Sequence, residues 1–234
     1  HRPPPEADTT ALSDGVHPAQ LRLAFEELLA HHLAVRRRRQ YRESSVAPVI
    51  PIGKSLWPQL EKRLGFSLTN AQQRTIREVL TDLSQPRPSL RLIQGDVGCG
   101  KTVVAAAAAL AAIEAGLQVV VMAPTELLAE QHFRTFTKWL EGFDLTLVWL
   151  TGKLGAREKR EACNLLASGQ AQIGVGTHAL FQEGVRYRAL GLVVVDEQHR
   201  FGVEQRLALR EKGRDGNRFP HQLVMTATPI PRSL

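Results

Sequence analysis

The sequence predicts an α/β fold: a parallel sheet covered by helices on both faces, preceded by a helical linker. From Gly65 onward, short and continuously apolar runs alternate with longer amphipathic runs, and turn residues separate them. Apolar strands that alternate with helices are typical of a parallel sheet buried on both faces. Before Gly65 the clear periodicity is helical only. We therefore expect a linker and helical segment over residues 1–65 and an α/β lobe over residues 66–234.

The first 65 residues are predicted to form two helices between irregular stretches. Residues 1–17 are rich in Pro, Asp and Thr, and apolar residues then recur every three or four positions, which predicts a helix over about 18–40. This helix ends in Arg36–Arg39, which we interpret either as a contact for DNA phosphates or as a solvated helix end. Residues 43–54 are irregular, and a short helix follows over Trp57–Leu64.

The alternation after Gly65 predicts six strands and four helices. The predicted strands are Leu90–Gln94, Gln118–Ala123, Asp144–Leu150, Gln172–Gly176, Leu192–Val195 and Gln222–Thr226. The predicted helices cover residues 102–115, 126–140, 155–168 and 203–212.

Composition and charge limit the possible functions. With 43% hydrophobic and 23% charged residues, the 234-residue chain is neither disordered throughout nor a coiled coil. Its most apolar run, Val103–Ile113, is too short to span a membrane, and the first residues lack both a signal-peptide pattern and an initiating Met. We therefore expect a stretch of a longer polypeptide. Two well-separated cysteines favour a reducing cytoplasm, and the net charge of +7 favours an anionic partner.

A phosphate-binding loop is predicted between the first strand and the helix that follows it. The run Gly-Asp-Val-Gly-Cys-Gly-Lys-Thr matches the P-loop pattern G-x-x-x-x-G-K-S/T without a mismatch. Glycines let the backbone approach phosphate closely, and the exposed N–H groups supply fixed positive potential. We expect Lys101 to reach the β- and γ-phosphates and the Thr102 hydroxyl to bind Mg²⁺. The alternative is a Gly-rich turn with a solvated lysine. The predicted nucleotide-binding residues of the loop are Gly95, Asp96, Val97, Gly98, Cys99, Gly100, Lys101 and Thr102.

An acidic pair complements the loop. Asp196 and Glu197 end an apolar strand, which places them at the carboxyl edge of the sheet beside the P-loop. We expect Asp196 to hold Mg²⁺ and Glu197 to polarise an attacking water. Nucleotide hydrolysis is therefore the leading prediction.

Five motifs in order resemble those of superfamily 2 helicases. Residues 196–199, Asp-Glu-Gln-His, resemble the DExH box, and residues 226–228, Thr-Ala-Thr, resemble motif III. The stretches GDVGCGKT, APTELLAEQH, GTHALFQ, DEQHRFGV and MTATPIPR look like those of the bacterial branched-DNA helicase family. The transcription-repair coupling factors share GDVG-x-GKT and RFGV and are the alternative family. A third possibility is a nucleotide-dependent switch without translocation, although no guanine-reading N-K-x-D segment occurs.

The resemblance implies a RecA-like lobe that uses ATP and Mg²⁺ and acts on forks or four-way junctions of DNA. It implies catalytic roles for Lys101, Asp196 and Glu197. It also implies a set of residues along the DNA path and in coupling to it: Thr125, Gly176, Thr177, His178, His199, Thr226 and Thr228. In this family Thr226 and Thr228 would act through His199. Cys99 departs from the family pattern, where we expect a small residue such as Ser.

The resemblance further implies partners in the same polypeptide. We expect a second RecA-like lobe with an arginine finger after residue 234 and a junction-binding wedge domain before residue 1. A lobe of this kind is expected to act in a monomer and to hydrolyse ATP poorly by itself.

Gln72 has two interpretations. Thr69-Asn70-Ala71-Gln72 resembles the adenine-recognition segment of these helicases, in which Gln72 would read the edge of the base. The same Thr-x-x-Gln spacing also forms a capping box, in which the glutamine returns to a backbone N–H.

Overall fold

The computed structural model describes residues 10, 13–15, 17–43, 45–52, 55–197 and 217–227, with the backbone alone over 37–43. The chain divides into two compact units, His1–Ser44 and Ser45–Leu234. The described part of the first unit is mainly helix α1, Pro18–Glu43, which confirms the helix predicted over 18–40. Its large apolar side chains are exposed.

The two compact units divide after residue 44, whereas the sequence predicts a domain boundary at residue 65, which stays a prediction. Residues 45–65 belong to the second unit, where helix α2, Leu56–Arg63, packs beside the sheet domain. Ile50, Trp57 and Leu60 are buried in its main hydrophobic core. The change of pattern at Gly65 therefore marks where strand and helix begin to alternate, whereas the core of the unit already includes the residues before it.

The second unit contains a six-stranded sheet in which every pairing is parallel. The strands are β1 Leu90–Gln94, β2 Gln118–Met122, β3 Leu147–Leu150, β4 Ile173–Gly176, β5 Leu190–Asp196 and β6 His221–Thr226. Their order across the sheet is β1-β6-β5-β2-β4-β3. All six predicted strands are confirmed, with shifts at their ends.

Among the described residues of the second unit there are four further α-helices and one short 3₁₀ helix; the first α-helix precedes β1, and the others lie between strands. The α-helices are α3 Asn70–Leu83, α4 Lys101–Glu114, α5 Glu126–Trp139 and α6 Ala156–Ser168, and the 3₁₀ helix is His178–Phe181. Three of the predicted helices are thereby confirmed. The fourth, over 203–212, lies outside the described residues.

Helices and apolar side chains cover both faces of the sheet. Val119 and Val121 of β2 point into one core, which includes the buried alanines of α4, whereas Val120 and Met122 point into a second core with Leu166 of α6. This alternation follows from the two-residue period of a strand. The predicted fold class is confirmed, and the alanine side chains allow α4 to lie close to the sheet.

A buried histidine binds the residues before α2 to the β1 side of the sheet through a hydrogen bond. Nε2 of His221, which is fully buried in β6, lies 2.8 Å from the carbonyl oxygen of Pro48. Its Nδ1 accepts from the backbone N–H of Ser89 at 3.2 Å. Burial lowers the pKa of His221 below its ordinary value. The ring is therefore held as the neutral Nε2–H tautomer.

The sheet order places three functional strand ends side by side. Strands β1, β6 and β5 are neighbours, so the P-loop after β1 lies beside the ends of β6 and β5. The link is direct, since the N–H of Gly95 donates to the carbonyl of Thr226 at 3.2 Å. None of the helices in the described residues has both the length and the apolar character needed to cross a membrane.

Candidate nucleotide-binding site

The P-loop has the backbone that its glycines predict. Gly98 and Gly100 have φ angles of 83° and 84°, in the left-handed region where glycine carries no steric penalty. Gly100 directly precedes α4, so the first N–H groups of that helix face the loop. The Lys101 ammonium donates to the carbonyls of Gly95 at 2.6 Å and Asp96 at 2.9 Å. The Lys101 side chain thus lies across the loop in which it is predicted to bind phosphate.

The loop opens onto a cavity of about 990 Å³ at the carboxyl edge of the sheet. One wall is the P-loop, a second is a face of α5, and the ends of β5 and β6 close the floor. The α5 residues on this wall are Leu128, Gln131, His132, Thr135 and Trp139. Phe66, Thr69 and Gln72 also line the cavity. The structure therefore brings Gln72, the P-loop, Asp196 and Glu197 around one cavity.

Gln72 forms the capping box and also contacts the P-loop. Its Oε1 accepts from the N–H of Thr69 at 2.9 Å, and the Thr69 hydroxyl oxygen accepts from the N–H of Gln72 at 3.2 Å. Its Nε2 donates to the carbonyl of Cys99 at 2.9 Å. A glutamine amide has a second N–H and further lone pairs. The cap is therefore present, and the adenine contact is compatible with it and stays a prediction.

Asp196 is paired with a histidine that the sequence did not single out. Nε2 of His132, on α5, lies 2.7 Å from Oδ2 of Asp196, and the two residues are 8% and 9% exposed. The carboxylate can only accept, so Nε2 of His132 carries the proton in this contact. One signal in the sequence was available, since His132 is the last residue of the motif APTELLAEQH. In the structure it shares a helical face with Leu128, Thr135 and Trp139, and that face lines the cavity.

Glu197 is held by the residues that follow β6. Its carboxylate accepts from the Thr226 hydroxyl at 3.0 Å and from the N–H of Ala227 at 3.0 Å. Its backbone has a φ of 50°, which is uncommon for a residue with a side chain and costs of order 1–3 kcal/mol. Non-glycine residues held in this way occur preferentially at functional sites. The two hydrogen bonds link Glu197 to motif III.

Thr102 and Asp196 have the donor chemistry that Mg²⁺ requires. Both line the cavity, and they offer a hydroxyl and a carboxylate oxygen. Within the described part of the chain no group of three or more His, Cys, Asp or Glu could hold a metal by itself. A Mg²⁺ ion that uses one carboxylate together with substrate phosphates needs no such group. The residues present therefore fit the predicted Mg²⁺ site.

The residues predicted along the DNA path lie at the ends of β2 and β4. Thr125 is exposed and caps α5, accepting from the N–H of Leu128 at 3.3 Å. His178 is exposed, whereas Thr177 is 3% exposed and its buried hydroxyl has no hydrogen-bond partner. Gly176 lies against the backbone of Leu150, where a Cβ would not fit. Within residues 176–178, the groups available for contact with DNA are therefore the backbone and the His178 side chain.

Two predicted residues lie outside the described part of the chain. They are His199 and Thr228, and their predicted roles stay predictions. Cys99 is exposed, and the structure uses its carbonyl group rather than its thiol to bind Gln72.

Comparison with known proteins establishes the family. The family model described as "DEAD/DEAH box helicase" matches residues 69–234, and the chain belongs to this family. Over its whole length it is 51% identical to the ATP-dependent DNA helicase RecG of Pasteurella multocida. It is 50% identical to RecG of Escherichia coli strain K12, again over 234 residues. The chain spans about a third of these relatives, 34% of each.

Solved structures agree with the family and the fold. A structure of RecG bound to a three-way DNA junction matches with a TM-score of 0.76 and 43% identity, over 91% of this chain and 28% of that one. The DEAD-box helicase Mss116, bound to single-stranded RNA and UDP-BeF, matches with a TM-score of 0.61 and 20% identity. That match covers 76% of this chain and 39% of Mss116, and it shows the fold alone. The lobe is therefore a RecA-like α/β domain.

Proposed function

We propose that this chain is the first, ATP-binding lobe of a DNA helicase that acts on branched DNA such as stalled forks and four-way junctions. One observation carries the proposal: the P-loop, Asp196 and Glu197 meet around a single cavity at three adjacent strand ends. Similarity to RecG helicases over the whole of this chain supports this substrate class over that of a transcription-repair coupling factor. Membership of a helicase family supports a translocating motor over a nucleotide-dependent switch.

The proposed binding step uses groups of the P-loop and the edge of β5. Backbone N–H groups at the start of α4 bind the phosphates. The Lys101 ammonium exchanges its bonds to Gly95 and Asp96 for phosphate oxygens. Thr102 and Asp196 hold Mg²⁺, which when bound neutralises charge on the β- and γ-phosphates. Gln72 reads the adenine edge from the rim of the cavity.

The proposed hydrolytic step depends on Glu197. Its carboxylate orients the attacking water and accepts a proton from it. The same carboxylate is bound by Thr226 and Ala227, so movement of motif III also moves the catalytic group. We therefore propose that Thr226 couples the DNA side to hydrolysis through Glu197, in addition to the path through His199 expected from the family.

DNA binding is proposed along the exposed ends of β2 and β4. Thr125 caps α5 there, and His178 begins the 3₁₀ helix, so both backbones offer N–H groups to phosphate. The net charge of +7 supports binding to phosphate. We propose that a wedge domain of the same polypeptide recognises the junction and that a second lobe supplies the arginine finger. The complete protein would then act as a monomer in the bacterial cytoplasm.

The test is the ATPase rate of the full-length protein with linear, forked and four-way DNA. We expect DNA to stimulate hydrolysis and branched DNA to stimulate it most, because lobe closure on DNA completes the catalytic site. Glu197→Gln serves as the inactive control. Hydrolysis that is equal with and without DNA would contradict a translocating motor. Equal stimulation by linear and branched DNA would contradict the proposed substrate class.

A further inference from the structure

The contact between His132 and Asp196 joins two elements that are distant in the sequence. Asp196 ends β5, His132 lies in the middle of α5, and the Nε2 to Oδ2 distance is 2.7 Å. Both side chains are nearly buried, at 10% and 13% exposure. Both also line the nucleotide cavity. The pair therefore lies at the boundary between the protein interior and the site.

A buried carboxylate requires a donor. Removing an ionised carboxylate from water is costly unless the group is hydrogen-bonded or paired. Among the described residues, His132 is the one side chain that donates to Asp196. The contact occupies Oδ2 and leaves the other oxygen of the carboxylate for a second partner.

We propose that His132 is a positioning residue for the Mg²⁺ site, acting through Asp196. The inference rests on the proposed function, since it assumes that Asp196 holds the metal. By donating to Oδ2, His132 fixes the rotation of the carboxylate and leaves the other carboxylate oxygen for Mg²⁺. Partners that hydrogen-bond metal-binding groups in this way contribute about 10- to 100-fold to metal affinity.

The position of His132 on α5 supports a role in the Mg²⁺ site rather than a role only in the stability of the fold. Phe136, one turn further along the same helix, is buried in the hydrophobic core and is not among the residues that line the cavity. His132 instead faces the cavity with Thr135 and Trp139.

The test measures Mg²⁺ dependence of nucleotide binding in the full-length protein. A fluorescent, non-hydrolysable ATP analogue is titrated in EDTA and at increasing Mg²⁺, and Mn²⁺ binding in the presence of the analogue is followed by electron paramagnetic resonance. His132→Leu removes the donor. His132→Gln restores an N–H at similar reach. Phe136→Leu disturbs the same helix on its core face, and it is the matched control for lost stability.

We expect His132→Leu to raise the Mg²⁺ concentration at half-saturation by about 10- to 100-fold, with a matching loss of Mn²⁺ binding. Affinity in EDTA should stay within about twofold of wild type, since the phosphate contacts of the P-loop are intact. His132→Gln and Phe136→Leu should resemble wild type in Mg²⁺ dependence.

Three results would overturn the proposal: an unchanged Mg²⁺ dependence in His132→Leu, an equal loss of affinity in EDTA, or the same shift in Phe136→Leu. If His132→Leu does not fold, His132→Gln is compared with His132→Asn, whose shorter side chain cannot reach Asp196 as well. The proposal then requires a shift in the Asn variant alone. If wild type binds the analogue equally with Mg²⁺ and in EDTA, the assignment of Asp196 to the metal fails, and the proposed function fails with it.

Discussion

Replacing Gln72 separates three roles that its side chain could have. Gln72→Ala removes the bond from Oε1 to the N–H of Thr69 and the bond from Nε2 to the carbonyl of Cys99, each 2.9 Å long. Gln72→Glu keeps an oxygen for Thr69, since glutamate also forms capping boxes, but has no N–H for Cys99 or for adenine. The two variants therefore share the loss of the amide donor and differ in the cap.

The magnitudes follow from these bonds. Both are exposed, and a lost cap or neutral hydrogen bond costs about 1 kcal/mol. Gln72→Ala should therefore lower the free energy of unfolding by about 1–2 kcal/mol, which lowers Tm by roughly 2–8 °C in a domain of this size. Gln72→Glu should lose about half of that or less, because a carboxylate also suits the N-terminus of a helix.

The binding assay compares ATP with inorganic triphosphate by competitive displacement. If Gln72 reads adenine, both variants weaken ATP about 3- to 10-fold more than triphosphate, the equivalent of one hydrogen bond. If the bond to Cys99 mainly shapes the P-loop, both ligands weaken equally in both variants. If Gln72 is only a cap, Gln72→Glu binds both ligands like wild type. Either of the last two results would refute the adenine contact.

Three further predictions concern turnover, pH and DNA. Glu197→Gln should keep ATP and Mg²⁺ binding but lower steady-state turnover by roughly 10²–10⁴-fold, since the amide cannot accept a proton from water; near-normal turnover would remove Glu197 from this role. Because burial lowers the pKa of His221 below 6.5, its unfolded form takes up a proton first as pH falls. The free energy of unfolding, measured with urea, should therefore fall below about pH 6.5, by at most about 1.4 kcal/mol per pH unit. This fall should be smaller in His221→Gln. It should be unchanged in the exposed control His178→Gln. The 234-residue chain should bind linear and four-way DNA with similar affinity. Measured by fluorescence anisotropy, that affinity should fall about tenfold or more between 50 and 200 mM salt. Replacing Arg36–Arg39 by Gln lowers the dependence of affinity on salt only if this block contacts phosphate.

The pattern of apolar residues predicted the ends of a strand well wherever the paired backbone coincides with the apolar run. Strand β1 has the predicted ends, whereas β3 begins at Leu147 instead of Asp144. The reason is local. The N–H of Leu145 bonds to the carbonyl of Phe143, and the N–H of Thr146 bonds to the side chain of Gln172. These groups are used before pairing with β4 begins, and no periodicity of apolar residues reveals such bonds.

Residues that owe their position to tertiary packing could not be predicted from spacing. Strand β5 continues back through Gly191 to Leu190, although glycine favours a strand end in sequence. Gly191 is used there because the Leu117 side chain occupies the space of a Cβ. The contact of His132 could not be predicted for a similar reason, because its partner Asp196 is 64 residues away in the sequence. The P-loop and Asp196 were recognisable because their chemistry depends on short motifs.

The central claim is that the cavity beside the P-loop binds ATP with Mg²⁺, and calorimetric titration of ATP into the protein tests it most directly. With Mg²⁺ present, we expect one ATP per chain. Lys101→Ala, which removes the ammonium held across the loop at 2.6 Å from the carbonyl of Gly95, should weaken binding by about tenfold or more. Equal affinity in wild type and Lys101→Ala would contradict the claim.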